Sequence, residues 1–216
     1  MQARSINQRR FRNMLSLKHV IAVGLVMLLT ACAGSGTGVK PAAETGAKES
    51  QAAEPKVDPK ALAANEAALS AMRNGDDAGA EKLFLQMAKD FPAYSGPYTN
   101  LGILYFRAGK MDKAEPAFLY SLEINPKNAV SLNYLGIIER NKGRFKEAHE
   151  FYDKALQVDP DYAYAHRNFG ILLELYMGKL GEAMDHYKRY QELTKEEDQE
   201  VKKWIADLGR RVSAKN

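Results

Sequence analysis

The stretch from Tyr134 to Pro160, YLGIIERNKGRFKEAHEFYDKALQVDP, decides the fold. Apolar residues recur at helical spacing on both sides of Gly143, and in the second half Ala148 and Tyr152 share one helix face. Glycine commonly ends a helix by taking a left-handed conformation, and proline cannot continue a helix. The stretch therefore predicts a helical hairpin whose first helix ends at Gly143 and whose second helix ends before Pro160.

The same pattern recurs along the chain with a period of 34 residues, which lengthens to 35 in the last unit. Four sets of residues keep this register: Pro92, Pro126 and Pro160; Gly102, Gly136 and Gly170; Gly75, Gly109, Gly143 and Gly178; and Ala80, Ala114, Ala148 and Ala183. A fixed period of this length is typical of a repeat protein. We predict four units, at residues 61–94, 95–128, 129–162 and 163–197.

Glycine and proline inside these helices need separate explanations. The glycine set that includes Gly136 falls within the first helix of each unit, where the missing side chain lets the neighbouring helix approach closely. Pro116 falls inside the second helix of the second unit. Counted from Asp112, it is predicted to lie near the first turn, where a helix does not use the backbone N–H that proline lacks.

The segment after the repeats, residues 198–216, is predicted to form a capping helix and a tail. Its apolar residues share one helical stripe: Val201, Trp204, Ile205, Leu208 and Val212. The terminal unit of a repeat array lacks a neighbour, so this stripe is expected to cover the fourth repeat. We interpret Trp204 as a packing residue in preference to a ligand-stacking one.

This glycine, alanine, aromatic and proline pattern over residues 61–197 resembles the tetratricopeptide repeat. The resemblance implies an all-α fold, a right-handed superhelix of four helix-turn-helix repeats followed by the capping helix. It also implies that the first helices line a concave groove for a protein or peptide partner. The candidate groove residues are Asn100, Arg107, Asn133, Tyr134, Arg140, Arg167, Asn168 and Glu174.

Two of these candidates hold equivalent places in their repeats. Family members use asparagine at the place of Asn100 and Asn168 to grip a peptide backbone, and Tyr134 replaces it in the third repeat. The full lysine and asparagine set of the family's carboxylate clamp is absent, which argues against a C-terminal carboxylate as the ligand. An ordinary solvated helix face explains the same polar residues equally well.

The first 31 residues are predicted to be a signal peptide. Basic residues up to Lys18 precede an apolar run from Val20 to Leu29, which is too short to span a bilayer core of about 30 Å. Leu29-Thr30-Ala31-Cys32 resembles a bacterial lipobox, and Cys32 is the single cysteine of the chain. The resemblance implies cleavage before Cys32 and attachment of the chain to a membrane through lipid on this residue.

Residues 32–60 are predicted to be a lipidated cysteine followed by a flexible tether. From Ala33 to Lys60 the only larger apolar side chains are Val39 and Val57, too few to offset the entropy of ordering the chain. In Gram-negative bacteria the residue after the lipidated cysteine helps to sort lipoproteins. Alanine at position 33 favours the bacterial outer membrane, with the folded part facing the periplasm.

The charge and the polar residues exclude several other functions. The net charge is +4, but residues 1–31 hold five basic and no acidic residues, which leaves 26 basic and 27 acidic residues after Ala31. A nucleic-acid partner is therefore not predicted. His149, His166 and His186 lie in different predicted helices without metal-binding spacing and are interpreted as helix-surface residues. We find no pattern of an enzyme active site, and we predict no cofactor, metal or small-molecule substrate.

Lipobox, tether and repeats together resemble the outer-membrane lipoproteins of type IV pilus biogenesis, which help secretin subunits to assemble, and those of tight-adherence pili. The resemblance implies a non-enzymatic scaffold protein. Two other functions fit the same features. One is an adaptor for periplasmic cell-wall enzymes or for an envelope energy-transduction system, and the other is a structural lipoprotein whose groove is filled by its own tether.

Overall fold

The computed structural model describes residues 58–194 and 198–214, and these residues form nine helices and no strand. The predicted signal peptide, Cys32 and the tether up to residue 57 lie outside the described residues. The helices are α1 (Pro59–Arg73), α2 (Asp77–Asp90), α3 (Gly96–Arg107), α4 (Met111–Ile124), α5 (Ala129–Asn141), α6 (Phe145–Val158), α7 (Ala163–Leu175), α8 (Leu180–Leu193) and α9 (Gln199–Ser213). The predicted all-α fold is confirmed. Helix α1 starts one residue before the predicted end of the tether at Lys60, with Pro59 at its first position, where proline is well tolerated.

Four helical hairpins follow one another, α1–α2, α3–α4, α5–α6 and α7–α8. The turn inside each hairpin contains a glycine with a positive φ: 78° at Gly75, 73° at Gly109, 80° at Gly143 and 68° at Gly178. Residues other than glycine rarely adopt this backbone conformation, which explains why glycine recurs at the same place in all four hairpins. The predicted left-handed helix ends at Gly109 and Gly143 are confirmed.

The glycines within the first helices lie directly against an aromatic ring of the second helix. A Cβ atom placed on Gly102 would lie 2.6 Å from Phe118, and the same distance separates such an atom on Gly136 from Tyr152. All three aromatic rings of this set, including Tyr187 beside Gly170, are fully buried. The predicted close approach of the paired helices is therefore confirmed.

The prediction for Pro116 is wrong by one turn. Helix α4 begins at Met111, so Pro116 is its sixth residue and lies inside the helix. An N–H at this place would have bonded to the carbonyl of Asp112. Both residues are exposed, so water can reach the carbonyl that proline leaves without its helical donor.

The helices pack in chain order, and the first helices also contact one another. Helix α3 contacts α5, and α5 contacts α7, so these three form one continuous layer. Helix α9 packs on α8 and buries Val201, Trp204 and Leu208, as expected for a cap. Trp204 is 8% exposed and its ring lies 5.4 Å from that of Tyr187, which confirms the packing role. None of the described helices is long and apolar enough to cross a bilayer.

Candidate protein-binding face

The predicted groove residues all lie on the layer formed by α3, α5 and α7, which we call the first-helix layer. Their exposure differs widely. Arg107 is exposed and Asn100, Tyr134 and Arg167 are half-buried, whereas Asn133, Arg140, Asn168 and Glu174 are buried. Both candidates on α3 are therefore at least partly exposed to solvent, whereas most of the candidates on α5 and α7 are buried.

The two buried asparagines bind each other across the layer. The Asn168 amide on α7 donates a 3.0 Å hydrogen bond to the side-chain oxygen of Asn133 on α5. Burial raises the pKa of the neighbouring Tyr162 phenol, and the Asn133 side chain opposes this shift. The structure thus gives Asn168 a bond between repeats, whereas its counterpart Asn100 is half-buried on α3.

Tyr134 is part of an aromatic cluster that joins two repeats. Its ring stacks on Phe118 at 4.9 Å with an angle of 11° and meets Phe106 edge-on at 5.2 Å. The pKa of Tyr134 is raised, because burial disfavours the charged phenolate; the nearby positive charge of Arg107 offsets part of this rise. The carboxylate of Asp77 lies 4.0 Å from Arg107, which leaves this exposed guanidinium weakly paired at the edge of the layer.

Glu174 on α7 is a buried carboxylate with two donors. The Tyr187 hydroxyl donates to it at 3.1 Å, and the Arg211 guanidinium of α9 donates at 2.9 Å. The side chain of Glu174 is only 2% exposed. This pairing connects the capping helix to the first-helix layer.

Arg167 on α7 lies over aromatic rings. Its guanidinium carbon is 5.8 Å from the ring centre of Tyr190 and 5.5 Å from that of Trp204. The Nε atom is buried and has no hydrogen-bond partner among the described residues. Cation–π attraction to two rings therefore accounts for the position of this side chain.

Arg140 on α5 has a different environment. The residue is 2% exposed, and its Nε, Nη1 and Nη2 atoms are all buried without a hydrogen-bond partner among the described residues. The hydroxyl of Tyr152 on α6 is buried in the same unpartnered state. Two strong hydrogen-bonding groups of one hairpin are thus left without an acceptor or donor from the described part of the chain.

A buried hydroxyl network joins the second and third repeats, and sequence reasoning missed it. Ser121 lies 2.8 Å from Thr99 and 2.9 Å from Ser131, measured between hydroxyl oxygens. The Asn128 amide donates to Thr99 at 2.9 Å, and its side-chain oxygen accepts from the Ser131 backbone as the cap of α5. These contacts satisfy the polar groups internally, so the network stabilises the repeat interface.

The interpretation of the three histidines as surface residues is wrong. The Nδ1 atoms of His166 and His186 lie 2.8 Å apart, and His166 Nε2 lies 2.9 Å from the Pro160 carbonyl oxygen. His149 meets the ring of Phe169 edge-on at 4.7 Å. All three are half-buried, because α7, which carries His166, packs against both α6 and α8, which carry His149 and His186. In the described part of the chain, no group of three or more metal-binding side chains comes together.

Comparison with family models gives two matches, both described as tetratricopeptide repeat. One covers residues 93–161 and the other residues 135–198. No curated protein matches the chain.

Several solved structures share the fold. One from the study "Functional Characterization of Pseudomonas Aeruginosa pilF" has 19% identity and a TM-score of 0.62, covering 71% of this chain and 69% of that one. TTC0263, a thermophilic TPR protein of Thermus thermophilus, has 20% identity and a TM-score of 0.57 over 68% and 80% of the two chains. The first TPR of Spaghetti (RPAP3), bound to the HSP90 peptide SRMEEVD, has 21% identity and a TM-score of 0.51 over 55% and 95%.

Proposed function

We propose that this protein is a non-enzymatic scaffold whose first-helix layer binds a protein or peptide partner, because the tetratricopeptide-repeat models match the residues that form this layer. The continuous packing of α3, α5 and α7 is the observation that carries the proposal. It aligns polar side chains of successive repeats along one face, as an extended partner requires. The structural neighbour from Spaghetti holds a peptide, which supports a peptide or protein as the ligand class.

Within the layer, exposure assigns different roles to the predicted groove residues. Asn100 and Arg107 have polar groups that a partner can reach without moving the helices. Asn133 and Asn168 hold α5 and α7 together, so they set the spacing of the layer. We therefore place the first contacts with the partner on α3 and the structural support on α5 and α7.

We further propose that the protein is anchored in the bacterial outer membrane by lipid on Cys32 and faces the periplasm. The lipobox-like sequence Leu29-Thr30-Ala31-Cys32 supports this localisation. Several acyl chains, at ~0.8 kcal/mol for each buried methylene group, hold a protein on a membrane stably. Cys32→Ala is expected to release the protein from envelope membranes in a high-salt wash. A variant that stays bound after the wash contradicts lipid anchoring.

The proposed pathway is pilus or secretin assembly. Support comes from the resemblance of lipobox, tether and repeats to pilus-biogenesis lipoproteins, and from the fold shared with the pilF structure. In-cell crosslinking, purification from detergent-solubilised envelopes and mass spectrometry are expected to recover secretin or pilus-assembly subunits.

The matched control for this capture is a variant with Asn100→Ala and Arg107→Ala. Both side chains lie at least partly in solvent, so the helices are expected to stay folded while capture is lost. Equal capture by the variant contradicts binding at α3. Recovery of a cell-wall enzyme or an energy-transduction component instead identifies the adaptor function and excludes the pilus one.

A further inference from the structure

The guanidinium of Arg140 brings a positive charge into the interior of the protein, where the residue is 2% exposed. All three of its nitrogen atoms are nevertheless buried without a hydrogen-bond partner among the described residues. A buried charge in this state is strongly unfavourable, so the site favours any arrangement that brings an anion to it.

The hydroxyl of Tyr152 is the second unpartnered group of this site. The side chain is fully buried, and burial raises the pKa of its phenol to about 12. The charge of Arg140 is close enough to oppose that shift. The hydroxyl therefore remains protonated and can donate, while the nearby guanidinium has donors only.

The next repeat shows which group completes such an arrangement. Glu174 stands 34 residues after Arg140, at the equivalent place of α7, and Tyr187 is the counterpart of Tyr152. There the Glu174 carboxylate accepts from the Tyr187 hydroxyl at 3.1 Å and from the Arg211 guanidinium at 2.9 Å. The Glu174 carboxylate thus lies between the Tyr187 hydroxyl and a guanidinium that comes from the capping helix α9. In the third repeat Arg140 itself stands at the place of the carboxylate, and no carboxylate of the described residues bonds to its guanidinium or to the Tyr152 hydroxyl.

We propose that Arg140 and Tyr152 form a subsite that receives an acidic side chain, aspartate or glutamate, of the bound protein partner. The proposal rests on the proposed function and names the chemistry that the partner supplies. Arg140 belongs to α5 of the first-helix layer, on which the partner is proposed to lie. A guanidinium binds a carboxylate through two parallel hydrogen bonds, and the tyrosine hydroxyl adds a third.

Thermal unfolding of the full chain with a small carboxylate tests the subsite without any knowledge of the partner. The probe is sodium acetate, compared with neutral acetamide of nearly the same shape at constant ionic strength. At an acetate concentration ten times the dissociation constant, we expect the unfolding midpoint to rise by on the order of 3 °C. Acetamide is expected to leave the midpoint unchanged. Equal midpoints in acetate and acetamide overturn the proposal, as does stabilisation by phosphate without stabilisation by acetate.

Three variants assign the effect to the subsite. Arg140→Met keeps the volume and removes the charge, so the acetate effect is expected to disappear while the variant unfolds at a higher temperature than the parent. Tyr152→Phe removes only the hydroxyl and is expected to weaken the effect. Arg189→Met is the matched control, since Arg189 is ion-paired with Asp161 and Glu192 on the outside of the protein. An acetate effect that persists in Arg140→Met overturns the proposal.

Partner capture then separates this proposal from the proposed function. We expect Arg140→Met to reduce the crosslinked partner at least tenfold, whereas Arg189→Met captures it like the parent. Full capture by Arg140→Met shows that the partner does not use the subsite and overturns the proposal, while the scaffold function stands. Failure of the parent itself to capture a partner refutes the scaffold function, whatever the acetate experiment shows.

Discussion

The contact between Gly136 and the Tyr152 ring provides the most direct test of how the repeats pack. In Gly136→Ala the new Cβ atom would lie 2.6 Å from Cε1, 2.8 Å from Cδ1 and 3.0 Å from Cζ of Tyr152. Contacts this short do not occur between packed carbon atoms, so the ring or the helix must move. Because Tyr152 is fully buried, the ring has no free space into which it can turn.

Two opposing effects determine how much Gly136→Ala changes the free energy of unfolding. Alanine in place of glycine within a helix stabilises by about 1 kcal/mol through backbone entropy and helix propensity. Overpacking of a filled core costs about 1–3 kcal/mol, and the 2.6 Å approach places Gly136→Ala toward the upper end. We therefore expect the free energy of unfolding to fall by about 1–2 kcal/mol.

Gly209→Ala is the matched control, because Gly209 lies inside α9 and a Cβ atom there meets nothing within 4 Å. This variant is expected to gain up to about 1 kcal/mol, so the same substitution has opposite signs at the two sites. Urea unfolding at 25 °C, followed by circular dichroism, measures both. Replacing the ring as well, in Gly136→Ala with Tyr152→Leu, is expected to remove most of the overpacking cost. If Gly136→Ala is as stable as the parent, the predicted register of the helix pair is refuted.

Three further predictions concern other contacts. Ser121→Ala leaves its buried hydroxyl partners with fewer hydrogen bonds and is expected to lower the free energy of unfolding by about 1–3 kcal/mol, measured by urea unfolding; an unchanged value excludes a stabilising network. Burial, and to a smaller extent the neighbouring His166, lowers the pKa of His186 from 6.5 to about 4. Between these two pH values His186 is protonated in the unfolded chain but not in the folded protein. Stability is expected to fall as the pH decreases from about 6.5 to 4, and His186→Phe, measured over the same range, should flatten the curve. Trp204→Ala removes the ring that packs on Tyr187 and is expected to cost about 3–5 kcal/mol, and a loss below about 1 kcal/mol argues against α9 as a cap.

The repeat architecture could be predicted because each repeat meets the same local demands. Gly143 is needed for a positive φ, and Gly136 is needed for close approach of the second helix. Both requirements depend on residues within one hairpin, so the glycines that meet them recur at a fixed spacing in the sequence. The stripe that includes Trp204 shows the capping helix in the same way. Pro116 was misplaced because the prediction started the helix at Asp112, one residue late, and counted a second-turn residue as part of the first turn.

The site was harder to predict, because its properties depend on contacts between repeats. All eight predicted residues lie on the first-helix layer, but spacing alone does not distinguish exposed Arg107 from buried Arg140. The bond between Asn133 and Asn168 joins residues 35 positions apart, close to one full repeat. His166 and His186 were likewise treated singly, although they belong to the two helices of one hairpin. A search for polar residues separated by about one repeat would have found the asparagine pair but not the unpartnered state of Arg140.

The measurement that tests the central claim most directly is site-specific photo-crosslinking in living cells. A photoreactive residue is placed at Arg107, exposed on the first helix α3, and in a matched strain at Gln157, exposed on the second helix α6. The scaffold account predicts a discrete crosslinked protein partner from position 107 and none from position 157. Crosslinks from position 157 alone, or no crosslinks from position 107, would contradict binding on the first-helix layer.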